Sequence, residues 1–182
     1  MALQFTTSYL EDVRPLFAMY KRQGEAAMAQ VSDADLTAVL DPEMNSIAQI
    51  VKHMTGNMRS RWTGFPEADG EKPDRDRDSE FEAPPATRAE VMSLWDAGWA
   101  CVFAALDRLT DADLSRETFI RGERHSVMQA INRQIAHYSC HLGQIVFLAK
   151  HLQSANWKSL SVPRGASASF NKDVAEGRKS QR

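Results

Sequence analysis

His137 and His141, in the run Ala136-His137-Tyr138-Ser139-Cys140-His141-Leu142, carry the clearest chemical signal in the chain. A spacing of four in a helix puts both imidazoles on one face, one turn apart. Two neutral imidazoles stacked in this way can share one divalent metal ion. His53 lies far upstream on another expected helix, beside Ile50, Val51 and Met54. Three imidazoles from two helices would leave coordination positions open, the arrangement that catalytic metals use. From spacing alone, hydrogen-bonded structural histidines are an equally good reading. Tyr138 occupies the place where HExxH metalloproteases carry their general base, which excludes a protease of that kind. Three neutral ligands would leave the ion its full double charge, which favours lowering the pKa of a bound water or thiol. Asn57, Gln134 and Gln144 are the candidates to orient imidazole N–H groups or a ligand.

The two remaining histidines fit less well. His125 stands just before a helix cap, and His151 lies two turns beyond His141, where a helix C-terminus favours it through the dipole. Cys140 points roughly 100° away from His141 and reads as a packing residue. Arg59, Arg61 and Arg164 could meet an anionic substrate, but surface or structural pairing is the expected fate of each.

The elements that must hold these residues announce themselves by their starts. A capping box joins an N-cap Ser or Thr to a Glu or Gln three residues on. Ser8 with Glu11, Ser46 with Gln49, Thr87 with Glu90 and Ser126 with Gln129 all fit it. Each is followed by apolar residues at helical spacing. The first stripe is Leu10, Val13, Leu16, Phe17 and Tyr20, with Pro15 inside it as a kink or a later start. The second is Ile47, Ile50, Val51, Met54 and Met58; the third is Val91, Leu94, Trp95, Trp99, Val102 and Leu106. The fourth runs Met128, Ile131, Ile135, Tyr138, Leu142, Ile145 and Ala149. At about 100° per residue, His137 and His141 fall roughly 80–120° to one side of the fourth stripe, on a sector shared with Gln134 and Gln144. That is where the wall of an edge pocket would lie. Trp95 and Trp99 read as core or dimer interface.

Nothing reads as a sheet beyond a short extended piece at Phe119 and Ile120. The expected fold is therefore all-α, a four-helix bundle with a long exposed connection, Pro66 to Pro85, between helices two and three. Within it, Arg75-Asp76-Arg77-Asp78 reads as self-paired. Val31-Ser32-Asp33-Ala34-Asp35-Leu36 and Leu109-Thr110-Asp111-Ala112-Asp113-Leu114 echo one another, each leading towards a histidine-bearing helix. They are either two similar acidic turns or the mark of two helix-pair halves. The second reading sets helices two and four side by side.

Composition bounds the rest. The chain has 182 residues, 43% hydrophobic and 25% charged, which suits one globular domain over residues 1–170 with a polar, mobile tail over 171–182. A net charge of −2 gives no basic field for nucleic acid or anionic membrane. Two cysteines are too few for a disulfide framework. No apolar run approaches the roughly 20 residues of a membrane span. Met1 to Phe5 lacks the features of a signal peptide, so the expected location is the cytoplasm.

Several longer runs resemble a domain-of-unknown-function branch of the DinB-like superfamily (DinB/YfiT-like metalloenzymes). They are Ser46 to Met54 with Gly56 to Trp62; Asp69 to Pro73 with Arg77-Asp78 and Glu80-Phe81; and Asn132-Arg133-Gln134 with His137-Tyr138 and His141 to Val146. Pro163-Arg164-Gly165 and Phe170-Asn171 close the similarity, which covers most of residues 8 to 170. The resemblance implies a DinB/YfiT-like four-helix bundle with a divalent ion on His53, His137 and His141. Imidazole ligands suit zinc or nickel. Relatives in the superfamily include thiol-dependent transferases and isomerases, and several are homodimers. The family points to a metal-dependent enzyme that holds a low-molecular-weight thiol as thiolate and aims it at a small electrophile. Hydrolysis by a metal-activated hydroxide is the nearest enzymatic rival. A non-enzymatic, dimeric metal- or ligand-binding helical module is the alternative from another class.

Overall fold

The computed structural model describes residues 8–180. The stretch Met1 to Phe5 lies outside the described residues, as do the last two residues of the polar tail. The protein is mostly helical. Four long helices supply its core: α1 (Tyr9–Met28), α3 (Ile47–Trp62), α4 (Arg88–Leu106) and α5 (Val127–Gln153). Two shorter ones, α2 (Asp33–Thr37) and α6 (Ser167–Ala175), complete the set.

The expected caps are the actual starts. Ser46, Thr87 and Ser126 each form the reciprocal box with Gln49, Glu90 and Gln129. Ser8 accepts from the Glu11 N–H, and α1 runs through Pro15 from that start. Pro15 is the seventh residue of the helix, so it removes the N–H that would pair with Glu11 O, and the helix continues past that one lost bond. The apolar stripes face inward: Leu10, Val13 and Phe17 meet Ile50, Val51 and Met54, Trp95 and Trp99, and Ile131, Tyr138 and Ile145 in one core. Both tryptophans belong to this core, with their rings 5.6 Å apart.

The helices pack in a ring. α3 lies along α4, α1 lies along α5, and contacts of α3 with α5 and of α1 with α4 close it. The histidine-bearing helices α3 and α5 are therefore neighbours. The echoed acidic segments have matching structure: Ser32 and Asp35 cap α2, and Thr110 and Asp113 cap a 3-10 turn at Asp111–Ser115. Each turn buries one leucine, Leu36 or Leu114, against the bundle. α4 is long and apolar enough to cross a membrane by length and composition alone. In this fold, however, its apolar side is committed to α3 and the core.

Two expectations need correction. First, a β-hairpin is present: β1 (Glu117–Ile120) pairs antiparallel with β2 (Glu123–Ser126). Its two-residue turn has positive φ at both Arg121 (57°) and Gly122 (74°), the backbone that a tight hairpin of this twist requires. Second, the connection between α3 and α4 is not a simple exposed strap. Asp69 accepts from the N–H groups of Arg121 and Gly122 at 2.9 and 2.8 Å, and the Gly70 N–H donates to Phe119 O at 2.7 Å. Farther along, Lys52 of α3 donates to the carbonyls of Ser79 and Glu82, both at 2.7 Å, and Gln49 donates to Phe81 O. The connection thus runs back over α3 from the hairpin to His53. The helix α6 (Ser167–Ala175) takes in the first residues of the polar segment from 171 onward.

Candidate metal centre

His53, His137 and His141 come together. One ring nitrogen from each lies within 4.8 Å of the other two. The centroids of the His53 ring and the two others are 5.5 and 4.9 Å apart, with the rings near perpendicular. His53 is buried, and the α5 pair is half-buried at the edge of the core. Among the described residues this is the one group of His, Cys, Asp or Glu side chains placed to share an ion. His125 sits in β2, beside Glu123, and His151 is exposed near the end of α5. Cys140 does turn away from the cluster, but it is exposed rather than packed: the small sector beside the histidines faces outward.

Two of the three rings are held by their Nδ1 atoms. His53 Nδ1 lies 2.8 Å from Glu80 Oε2, and His141 Nδ1 lies 2.8 Å from Gln144 Oε1. Carboxylate and amide oxygens accept, so each imidazole keeps its proton on Nδ1 and turns the Nε2 lone pair inward. His141 Nε2 and His137 Nε2 are 3.1 Å apart. Two imidazole nitrogens at about 2.0–2.1 Å from one ion would be roughly 2.9 Å apart at a right angle and about 3.3 Å apart at a tetrahedral angle. The spacing of the α5 pair falls between these limits and fits a divalent ion, and the His53 nitrogen lies within 4.8 Å of both.

Electrostatics favour the neutral form of the α5 pair. Burial, followed by the neighbouring charges of His141 and His53 and then of Arg61 and Arg133, pulls His137 down to about 3. Burial also lowers His141, against the Gln144 hydrogen bond. Protons therefore compete poorly for these nitrogens near neutral pH.

Glu80 is the residue that periodicity could not find. Its carboxylate is only 6% exposed and accepts from Arg75 Nε at 2.8 Å and Nη2 at 2.9 Å as well as from His53. Burial alone would raise its pKa; the hydrogen bonds from His53 and Arg75 more than offset that and hold it below the ordinary value. Arg75 also reaches Glu71, which pairs with Arg61 of α3 at 2.6 Å. The mixed-sign stretch is therefore only partly self-paired, because Arg75 turns inward to the histidine site. Phe81 stacks on the His53 ring at 4.7 Å, shielding it from one side. Gly56, directly beneath, has no side chain for a reason: a Cβ there would stand 2.6 Å from Glu80 Cδ. The usable sequence signal was the Glu80-Phe81 dipeptide in an otherwise polar stretch.

The other expected orienting residues separate. Gln144 lies within hydrogen-bond distance of His141 Nδ1. Asn57 does not touch the imidazoles: its Oδ1 accepts from Tyr138 Oη at 3.2 Å, and that oxygen in turn accepts from Trp62 Nε1 at 2.9 Å. Gln134 is 3% exposed, and its Oε1 has no partner. Beside His137 opens a cleft of about 510 Å³ lined by Asn57, Arg61, Arg133, Gln134, Ala136 and His137. Of the arginines flagged from sequence, Arg61 is buried against Glu71, Ser60 and Gly70 O. Arg59 and Arg164 are exposed.

Comparison with known proteins agrees with this architecture. The family model described as "Protein of unknown function (DUF1572)" matches residues 4–166. A solved DinB-like protein from Bacillus cereus superposes with a TM-score of 0.58 at 14% identity, covering 81% of this chain and 94% of that one. No curated protein sequence matches significantly. The chain belongs to the DUF1572 family of unknown function, and its helices adopt the DinB-like fold.

Proposed function

We propose that the protein is a divalent-metal-dependent enzyme, a DinB/YfiT-like four-helix bundle whose ion, zinc or nickel, is held by His53, His137 and His141. The observation that carries this reading is the convergence of three imidazoles, two of them fixed through Nδ1 so that Nε2 points inward. Structural histidines do not require that common orientation. A bound ion would supply a positive centre that lowers the pKa of a coordinated thiol or water. The chain contributes the rest. Glu80 and Gln144 fix two ring orientations, Phe81 covers one side of His53, and the cleft beside His137 admits a small molecule. We assign it to thiol-dependent transfer to small electrophiles, with hydrolysis as the enzymatic rival, and we expect a cytoplasmic homodimer.

The test is the metal content of the purified, untagged protein beside a His53→Ala/His137→Ala/His141→Ala variant. About one zinc or nickel per chain, lost in a variant that keeps its helical content, supports the site and opens a screen of thiols and electrophiles. No ion bound after incubation with zinc or nickel sinks the proposal and leaves a helical ligand-binding module. A second reading has its own support, because the cluster ties α3 to α5. A purely structural clip would lose much thermal stability on chelation and take up no thiol.

A further inference from the structure

A chain of buried hydrogen bonds fixes the polarity of an amide that lines the cleft beside His137. The Trp62 indole N–H can only donate, and Tyr138 Oη accepts it at 2.9 Å. The Tyr138 hydroxyl keeps its own proton, and Asn57 Oδ1 takes it at 3.2 Å. The reverse placement of the Asn57 amide would leave that proton without an acceptor on a wholly buried side chain, a costly arrangement. Oδ1 therefore faces Tyr138, and the Nδ2 hydrogens are left free. Nδ2 donates to nothing among the described residues. It is not one of the sealed atoms that lack a partner, as Arg61 Nε and Gln134 Oε1 are, so it keeps open surface on the cleft. The lining of that cleft holds no acidic side chain to accept from it. Asn57 lies one helical turn beyond His53 on α3, and its partner Tyr138 follows His137 on α5, so the amide stands beside the imidazole cluster.

We infer that Asn57 is a ligand-binding residue: Nδ2 donates to a carbonyl or anionic oxygen of the small molecule that occupies the cleft. This rests on the metal reading proposed above and adds a requirement on the ligand, an acceptor oxygen directed at α3. A donor whose direction is already set by Tyr138 and Trp62 needs no reordering when the ligand arrives. It strengthens as negative charge builds on the oxygen it holds, because a hydrogen bond to a charged partner is worth more than a neutral one. The ion would draw one atom of the ligand and the amide another, so together they fix orientation as well as position. The cleft, at about 510 Å³, has room for such a molecule and opens directly on His137.

The probes are acetohydroxamate, which binds zinc through oxygen, and imidazole, which binds through nitrogen and offers no oxygen. Dissociation constants for both are measured by NMR titration on zinc-loaded protein. The native chain is compared with Asn57→Ala, Tyr138→Phe and the double variant. Asn57→Ala is expected to weaken hydroxamate about tenfold or more, as the loss of one hydrogen bond to a charged oxygen implies, and to leave imidazole unchanged. The same loss should persist in the Tyr138→Phe background, where Asn57 has no hydroxyl left to hold. In the native protein an Asn57 side-chain amide proton should move downfield with hydroxamate and not with imidazole. Hydroxamate binding indifferent to Asn57 overturns the inference. So does a loss that disappears in the Tyr138→Phe background, an equal loss for imidazole, or an amide proton that hydroxamate does not move. The two proposals fail separately. A protein that takes up no zinc removes the ion and the role of Asn57 together; full zinc uptake with hydroxamate unaffected by Asn57→Ala removes the role of Asn57 alone.

Discussion

Replacing Glu80 by glutamine tests the link between the connection and the histidines. The carboxylate accepts three bonds, from His53 Nδ1 at 2.8 Å and from Arg75 Nε and Nη2 at 2.8 and 2.9 Å. Glutamine offers one oxygen and an NH₂ group that can only donate. With its oxygen in the place of Oε2 it can still accept from His53 and from Arg75 Nη2. The NH₂ then faces Arg75 Nε and the charge is gone, so at least one charged contact is lost, about 1.5–3 kcal/mol. The larger penalty of an orphaned buried charge, about 3–5 kcal/mol, does not apply in full. Arg75 keeps Glu71 at 3.2 Å. The expected loss is about 2–3 kcal/mol, or a Tm roughly 4–12 °C lower for a domain of this size. The bond to His53 becomes a neutral one, so zinc affinity should fall, with the roughly 10–100-fold that complete loss of a ligand's outer hydrogen bond costs as the upper limit. Urea denaturation of the metal-free protein reads the first effect, and zinc titration against a chromophoric chelator reads the second. Glu82→Gln, on an exposed neighbour, is the control. If Glu80→Gln matches the native protein in both assays, the carboxylate orients nothing. If stability falls while zinc affinity holds, the ion-pair half of the argument stands and the His53 half does not.

Other expectations follow from the same geometry. Gly56→Ala should push Glu80 off His53 and lower both thermal stability and zinc affinity; an unchanged zinc affinity would show that Glu80 tolerates displacement. Tyr138→Phe leaves the buried Trp62 N–H without an acceptor, so we expect a loss of about 1–3 kcal/mol in urea denaturation, with zinc affinity unchanged. In the metal-free protein His137 resists protonation down to about 3, whereas in the unfolded chain it titrates near about 6.5. Its contribution to stability is therefore complete above that higher value and lost as pH falls towards the lower one. Denaturation midpoints at pH 7 and pH 5 should show the native protein weakened at pH 5 and His137→Ala weakened less; equal slopes would remove His137 from the account.

Much of this is legible in the sequence, for a physical reason. Caps and apolar stripes are local: Ser46 with Gln49 and Ser126 with Gln129 specify where helices start, and the period of the stripe specifies which side is buried. His137 and His141 needed only one helix to be neighbours, and Gln144 lies one turn from His141. What could not be read depends on chain reversal. Asp69 finds the hairpin turn across about fifty residues of sequence, and Glu80 finds His53 from a segment whose composition resembles any solvated loop. The hairpin carried a weak sign in Arg121-Gly122, set between short runs too polar to alternate clearly. Glu80 carried none in its periodicity, because a single buried contact has no period.

The division between the ligands and the groups that steer them has a consequence of its own. The three imidazoles belong to α3 and α5, whose sequences are constrained by the core they also build. The carboxylate that sets the His53 tautomer belongs to the connection, which packs on α3 from outside. Changes between Pro66 and Pro85 can therefore retune the basicity of one ligand without disturbing the helices or the other two. If the triad holds an ion as proposed, changes in this stretch would alter which ion it prefers, and the place to look for that preference is the loop rather than the histidines.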